Sequence, residues 1–141
     1  MKAYIYISEP IQPFSDEALE SLIEESIERN SEAGITGFLC YQDGLFIQYF
    51  EGEQQAVDRL FLRIYQDKRH QLLNYHIREP ISSPKFPHWQ MKVIKKERLD
   101  ANNIEPFIFN QLKRLKDDNS SQFDWQSMVW RGVDMIAKKY V

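Results

Sequence analysis

One short run does most to limit what this 141-residue chain can fold into. Leu45-Phe46-Ile47-Gln48-Tyr49-Phe50 is apolar on both sides and carries a primary amide in its middle. Side chains of a strand alternate between faces, so Leu45, Ile47 and Tyr49 share one face and Phe46, Gln48 and Phe50 the other. A strand apolar on both faces reads as central and covered on both sides. An amide buried there costs free energy unless its donors and acceptor find partners. Nearby backbone satisfies an ordinary buried Gln, so what matters is which other polar groups the fold brings to Gln48.

The length suits one domain with a real core. A net charge of -3 and a pI near 5.6 argue against a general nucleic-acid binder. The apolar runs are too short to span a bilayer, and Met1-Lys2-Ala3-Tyr4 does not open a signal peptide, so a soluble, cytoplasmic protein without membrane attachment is expected. The single cysteine, Cys40, excludes an internal disulfide framework. Set in Gly37-Phe38-Leu39-Cys40-Tyr41, it reads as a small hydrophobe in a strand and not as a reactive thiol.

Tyr4 to Ser8 alternates as a strand, with Pro10 and Pro13 breaking it. Ser15 is a fitting N-cap, with Asp16 and Glu17 in the first turn, for a helix running to about Asn30 and leaving at Gly34. Strands at Ile35 to Tyr41 and Leu45 to Glu51 meet across Gln42-Asp43-Gly44, a hairpin signal. A helix from about Gln54 to Gln66 carries Val57, Leu60, Phe61 and Ile64 at helical spacing. Strands from about Leu72 to Arg78 and Trp89 to Lys95 follow, separated by Pro80, Pro84 and Pro87, with Trp89, Met91 and Val93 expected on one face. The order β-α-β-β-α-β-β gives an α+β fold, a ferredoxin-like mixed sheet with two helices on one face. Beyond Leu99 two more helices are expected, one around Ile104, Phe107, Ile108 and Leu112 and one around Trp125, Val129, Val133, Ile136 and Tyr140, joined by the polar stretch Lys116 to Ser121. This tail is too short to fold alone. Residues 1–97 are therefore read as the domain and 98–141 as a helical extension, a pair packed on the other sheet face.

At about 100° per residue, Leu19, Leu22 and Ile23 mark the buried face of the first helix, and Ser26 and Asn30 fall in the middle of it. Serine can bond back to the preceding turn, and an asparagine near a helix end suits left-handed geometry. Arg29 lies on the flank of the stripe. Tyr6, Trp89 and Met91 each make acceptable core residues. Taken together, Tyr6, Gln48, Ser26, Asn30, Trp89 and Met91 come from three strands and one helix that this topology brings together. A pocket walled by Leu22, Ile23 and Ile64 with convergent polar groups suits a planar heteroaromatic ligand with carbonyl and imide edges, a description that an isoalloxazine ring meets.

Tyr6-Ile7-Ser8, Ser26 with Asn30, Gly34-Ile35-Thr36-Gly37, Asp43-Gly44-Leu45-Phe46-Ile47-Gln48, Glu51-Gly52-Glu53, Asp67-Lys68-Arg69-His70 and Phe86-Pro87-His88-Trp89-Gln90-Met91 occur in this order. From about Met1 to Glu97 the chain thereby resembles the BLUF family, blue-light sensors using flavin adenine dinucleotide. The resemblance implies a photoreceptor, not an enzyme, that binds a flavin noncovalently: FAD, with FMN or riboflavin as alternatives. Tyr6 resembles the tyrosine that gives an electron and a proton to the excited flavin. Gln48 resembles the glutamine whose amide then rotates or tautomerises and bonds the flavin C4 carbonyl, shifting absorption to the red. Asn30 resembles the residue holding the C4 carbonyl and N3 edge, with Ser26 supporting Gln48. Asp67, Arg69 and His70 resemble the stretch near the C2 carbonyl and ribityl side, and Trp89 and Met91 the pair that relays the state of Gln48 to the sheet.

Two positions depart from the family pattern. Arg29 lies where members vary, within reach of flavin phosphates or solvent, and Lys85 stands where relatives often carry arginine. No cyclase, phosphodiesterase or DNA-binding domain is read in the sequence, so the resemblance is to short members that signal through an unidentified protein partner or by changing assembly, with a homo-oligomer expected. Competing readings fare worse. An acylphosphatase-like hydrolase needs a glycine-rich anion loop where Ser8-Glu9-Pro10 stands. A flavin reductase needs a nicotinamide site, and no Gly-x-Gly-x-x-Gly is present. An RNA-binding sheet built on Tyr4 and Tyr6 lacks a basic face. A light-insensitive flavin-binding protein on the same fold remains the alternative to test.

Overall fold

The computed structural model describes residues 1–42, 44–94 and 125–140. Five strands, β1 (Lys2–Pro10), β2 (Thr36–Gln42), β3 (Leu45–Gly52), β4 (His70–Arg78) and β5 (Gln90–Ile94), form one sheet in the order β4-β1-β3-β2-β5. Pairing is antiparallel except between β2 and β5. Helices α1 (Asp16–Ala33) and α2 (Gln54–Gln66) cover one face, and α3 (Trp125–Tyr140) packs on the other. This is the expected ferredoxin-like α+β arrangement. The expected helix around Ile104 to Leu112 and the linker Lys116 to Ser121 lie outside the described residues, as does Asp43 in the hairpin turn.

β3 is the middle strand, and all eight of its residues are buried. Leu45, Ile47 and Tyr49 enter a core with Ile5, Ile7, Phe38, Phe86 and the α3 residues Val129, Trp130, Val133 and Ile136. Phe46 and Phe50 enter a second core with Tyr4, Tyr6, Leu39, Val57 and Leu60, flanked by Leu22, Ile23 and Ile64. Burying each large apolar side chain contributes about 1.5–3 kcal/mol, so the two-sided pattern of β3 fixes the three layers. Cys40 belongs to the first core, where burial pushes its thiol up to about 12 and leaves it protonated and inert.

The element ends differ from expectation in informative ways. Pro10 does not break β1 but ends it, paired with His70 at the sheet's β4 side. The Ser15 hydroxyl caps α1 by accepting from the Ala18 amide at 3.1 Å. α1 continues to Ala33, and the left-handed exit is Gly34 (φ 71°), so Asn30 is a helical residue and not the terminator. Trp89 and Met91 do not share a face: Trp89 packs in the α3-side core, and Met91 in the α1/α2-side core. The register of β5 against β2 slips between Gly37 and Phe38, and Met91 adopts φ 78°, which breaks the alternation that the pattern assumes.

Gly37 is where the backbones come closest. Its amide donates to the Trp89 carbonyl at 2.8 Å, and a Cβ there would run into the Tyr49 carbonyl. Gly37→Ala should lower unfolding free energy by about 2–4 kcal/mol or prevent folding. Gly34→Ala, in open space, should cost only the left-handed strain of about 1–2 kcal/mol. Urea denaturation of the two variants checks this ranking.

Candidate functional site

Between α1, α2 and the sheet lies a narrow cleft. Its wall brings together Tyr6, Leu22, Ser26, Arg29, Asn30, Gln48, Ile64, Arg69 and His70, all expected from the sequence. Ile23 is beside it but packs into the sheet-side core, and Asp67 stands outside the wall, paired with Arg69. Phe14, Leu39, Phe46 and Leu60 also line the cleft and were not singled out. Two of these were within reach of the sequence. Phe46 is two residues from Gln48 on the same strand face, and Leu39 is the β2 residue registered opposite Gln48. Phe14, just before the helix cap, carries no periodic signal, and Leu60 was read only as part of the apolar spacing of the second helix.

The polar groups form a directed chain. Tyr6 and Gln48 face each other in the β1–β3 register, and the Tyr6 hydroxyl donates to Gln48 Oε1 at 2.5 Å. Gln48 Nε2 donates to Met91 Sδ at 3.2 Å. A thioether accepts weakly, so one end of the amide is held firmly and the other loosely. Burial first, then the nearby charge of Asp67, raises the Tyr6 phenol above its ordinary value, so it stays a neutral donor.

Asn30 is 1% exposed, and its Nδ2 has no hydrogen-bond partner among the described residues. A buried donor left unmade costs about 1–3 kcal/mol. It sits on the cleft wall, where a ligand carbonyl would satisfy it. The Ser26 hydroxyl donates back to the Leu22 carbonyl at 2.8 Å, the local bond available to a helical serine. His70 bridges two elements, with Nδ1 2.8 Å from Ser8 Oγ and Nε2 2.7 Å from the Ile64 carbonyl. A carbonyl only accepts, so Nε2 carries a proton and donates to Ile64, while Nδ1 shares a hydrogen bond with the Ser8 hydroxyl. Arg69 grips Asp67 through Nε and Nη2, and that bond holds the Asp67 carboxyl below its ordinary range. A cleft of mixed apolar and polar lining, with one unpaired donor, one loosely held amide and a neutral phenol, suits a ring that accepts hydrogen bonds along one edge, which is what a flavin presents. Among the described residues no group of side chains is arranged to hold a metal, and no helix is long and apolar enough to cross a membrane.

Comparison with known proteins agrees with this geometry. The family model described as "BLUF: Sensors of blue-light using FAD" matches residues 1–92. Photoactivated adenylate cyclase subunit beta of Euglena longa is 35% identical over 96 residues, 67% of this chain but 11% of that protein. Subunit alpha of the Euglena gracilis enzyme is 46% identical over 65 residues, 46% of this chain and 6% of that protein. The chain thus spans about a tenth or less of the curated relatives it matches. Among solved structures, BlrB, a BLUF protein in its dark state, superposes with a TM-score of 0.69 at 28% identity, covering 98% of this chain and 96% of that one. The photo-activated state of BlsA gives 0.69 at 28%, covering 97% and 95%. With its Tyr6–Gln48 pair in place beside the cleft, the chain belongs to the BLUF family and is a flavin-binding blue-light photoreceptor.

Proposed function

We propose that the flavin is FAD, that it lies between α1 and α2, and that the output is a change in protein contacts rather than catalysis. When bound, the flavin supplies blue absorption and an excited ring that takes up an electron and a proton. The observation carrying the reading is the hydrogen-bond chain Tyr6–Gln48–Met91 beside the partnerless Asn30 donor. Tyr6 holds the transferable proton on a neutral, buried hydroxyl. Gln48 accepts that hydrogen bond and can exchange it, because a primary amide has its acceptor and donors on opposite sides and turns over without changing charge. Such an exchange in a low-dielectric pocket is worth on the order of 1 kcal/mol, enough to bias a two-state element. Asn30 would hold the ring at its carbonyl and N3 edge, and Ser26 would support Gln48. Leu22 and Ile64 would wall the ring with Ile23 packed beside them, Arg69 and His70 would stand near its C2 and ribityl side with Asp67 holding Arg69, and Arg29 would reach toward the flavin phosphates or solvent.

Met91, in contact with Gln48, is the direct relay. Trp89 follows through the backbone, since its side chain packs on the α3 side. Residues 1–97 make the sensor, and 98–141 a helical extension through which the signal leaves. The recipient is an unidentified protein partner or a further copy in a homo-oligomer, in the cytoplasm.

An absorption spectrum of purified protein before and after blue light, followed through darkness, tests the reading. A flavin band that shifts to the red and relaxes supports it, whereas a band that stays fixed indicates a light-insensitive flavoprotein. Gln48→Leu should keep the flavin and abolish the red shift. Tyr6→Phe should abolish the productive photocycle and lengthen flavin fluorescence. Asn30→Ala should leave the flavin-free protein within about 1 kcal/mol of its stability while weakening flavin binding roughly tenfold or more, read by denaturation and titration.

A further inference from the structure

Glu51 is a fully buried carboxylate that the photochemistry does not use. It lies three residues beyond Gln48 on the middle strand and faces the side away from the cleft. It accepts from the Tyr49 hydroxyl at 2.8 Å, the Lys85 amide at 2.9 Å and the Phe86 amide at 2.8 Å. Three donors converge on it, two of them main-chain N–H groups between Pro84 and Pro87, which have none of their own to give. The β4–β5 segment is thus tied to the middle strand by one side chain, through charge-assisted bonds of the strong kind.

The tied segment leads directly to the switch. The Phe86 carbonyl accepts from the Trp89 amide at 3.2 Å, and the Trp89 carbonyl from the Gly37 amide at 2.8 Å. Two residues later Met91, at φ 78°, presents its sulfur to Gln48. The same segment reaches α3, because Lys85 Nζ lies 3.5 Å from Asp134 and the Phe86 ring packs edge-on against Tyr49, which meets Trp130 in the same way.

We propose that Glu51 is a positioning residue of the light switch: by clamping the Lys85 and Phe86 amides it sets Met91 against Gln48 and joins that contact to α3. The inference rests on the photoreceptor reading, yet its clamp is testable in the dark. Glu51→Gln places an NH₂ group against donors while leaving Tyr6, Gln48 and Met91 unchanged. In flavin-loaded protein, hydrogen exchange at the Lys85 and Phe86 amides should then quicken by about tenfold or more. The size of the light-induced red shift should persist, and the dark-recovery rate should change by at least about threefold, because the acceptor beside Gln48 is no longer held. Unchanged exchange at both amides, or an unchanged recovery rate despite faster exchange, overturns the proposal. A wild-type protein without a light response, but with the exchange effect in Glu51→Gln, would sink the photoreceptor reading and the switch role while leaving the clamp. Should Glu51→Gln fail to fold, wild-type protein and Tyr49→Phe decide. Both wild-type amides must be protected to the level of strand residues, and Tyr49→Phe, with one of three donors removed, must shift recovery in the same direction. Loop-like exchange in wild type, or wild-type recovery in Tyr49→Phe, is equally fatal.

Discussion

The hydrogen bond between Tyr6 and Gln48 exists because β1 and β3 are neighbours with these two residues in register. A slip of one residue would turn every side chain of a strand to the other face, emptying the cleft of its phenol and amide together. The register is secured by the apolar residues around the pair. Ile5, Ile7, Ile47 and Tyr49 are buried on one side, and Tyr4, Phe46 and Phe50 on the other. The core therefore specifies the switch, and the polar pair contributes chemistry within geometry that hydrophobic burial has already fixed.

Around that pair the electrostatics are arranged to keep things neutral. Tyr6 and Cys40 are both pushed toward their protonated forms by burial. Arg69 is matched by Asp67 at the rim, where an exposed pair of this kind adds little to stability. The exception is Glu51. Burial raises its proton affinity, and the Phe86, Tyr49 and Lys85 donors oppose that rise. Directed bonds hold that side chain, with the Lys85 charge adding to them.

Much of this was legible in the sequence, for identifiable reasons. The two-sided strand, the Ser15 cap and the Gly34 exit are local signals, and each matches the structure. Polar residues on an otherwise apolar helix face located the cleft wall, because Ser26 and Asn30 broke a periodicity that Leu19, Leu22 and Ile23 had set. The faces of Trp89 and Met91 were not legible. Alternation assumes an unbroken strand, and the slip opposite Gly37 with the positive φ at Met91 depends on pairing with β2. Glu51 was hidden for a similar reason. It looked like the polar end of a strand, and its role comes from two amides more than thirty residues away.

Consecutive residues of a strand face opposite ways, so Gln48 and Tyr49 belong to different cores although one peptide bond joins them. The sheet is thus a partition a single backbone thick, with the ligand cleft on one side and the seat of α3 on the other. Close-packed interiors have little slack to absorb displacement. Any displacement of β3 therefore has to be accommodated by the packing on both of its sides. Across such a sheet, distance is not what separates the cleft from the seat of α3.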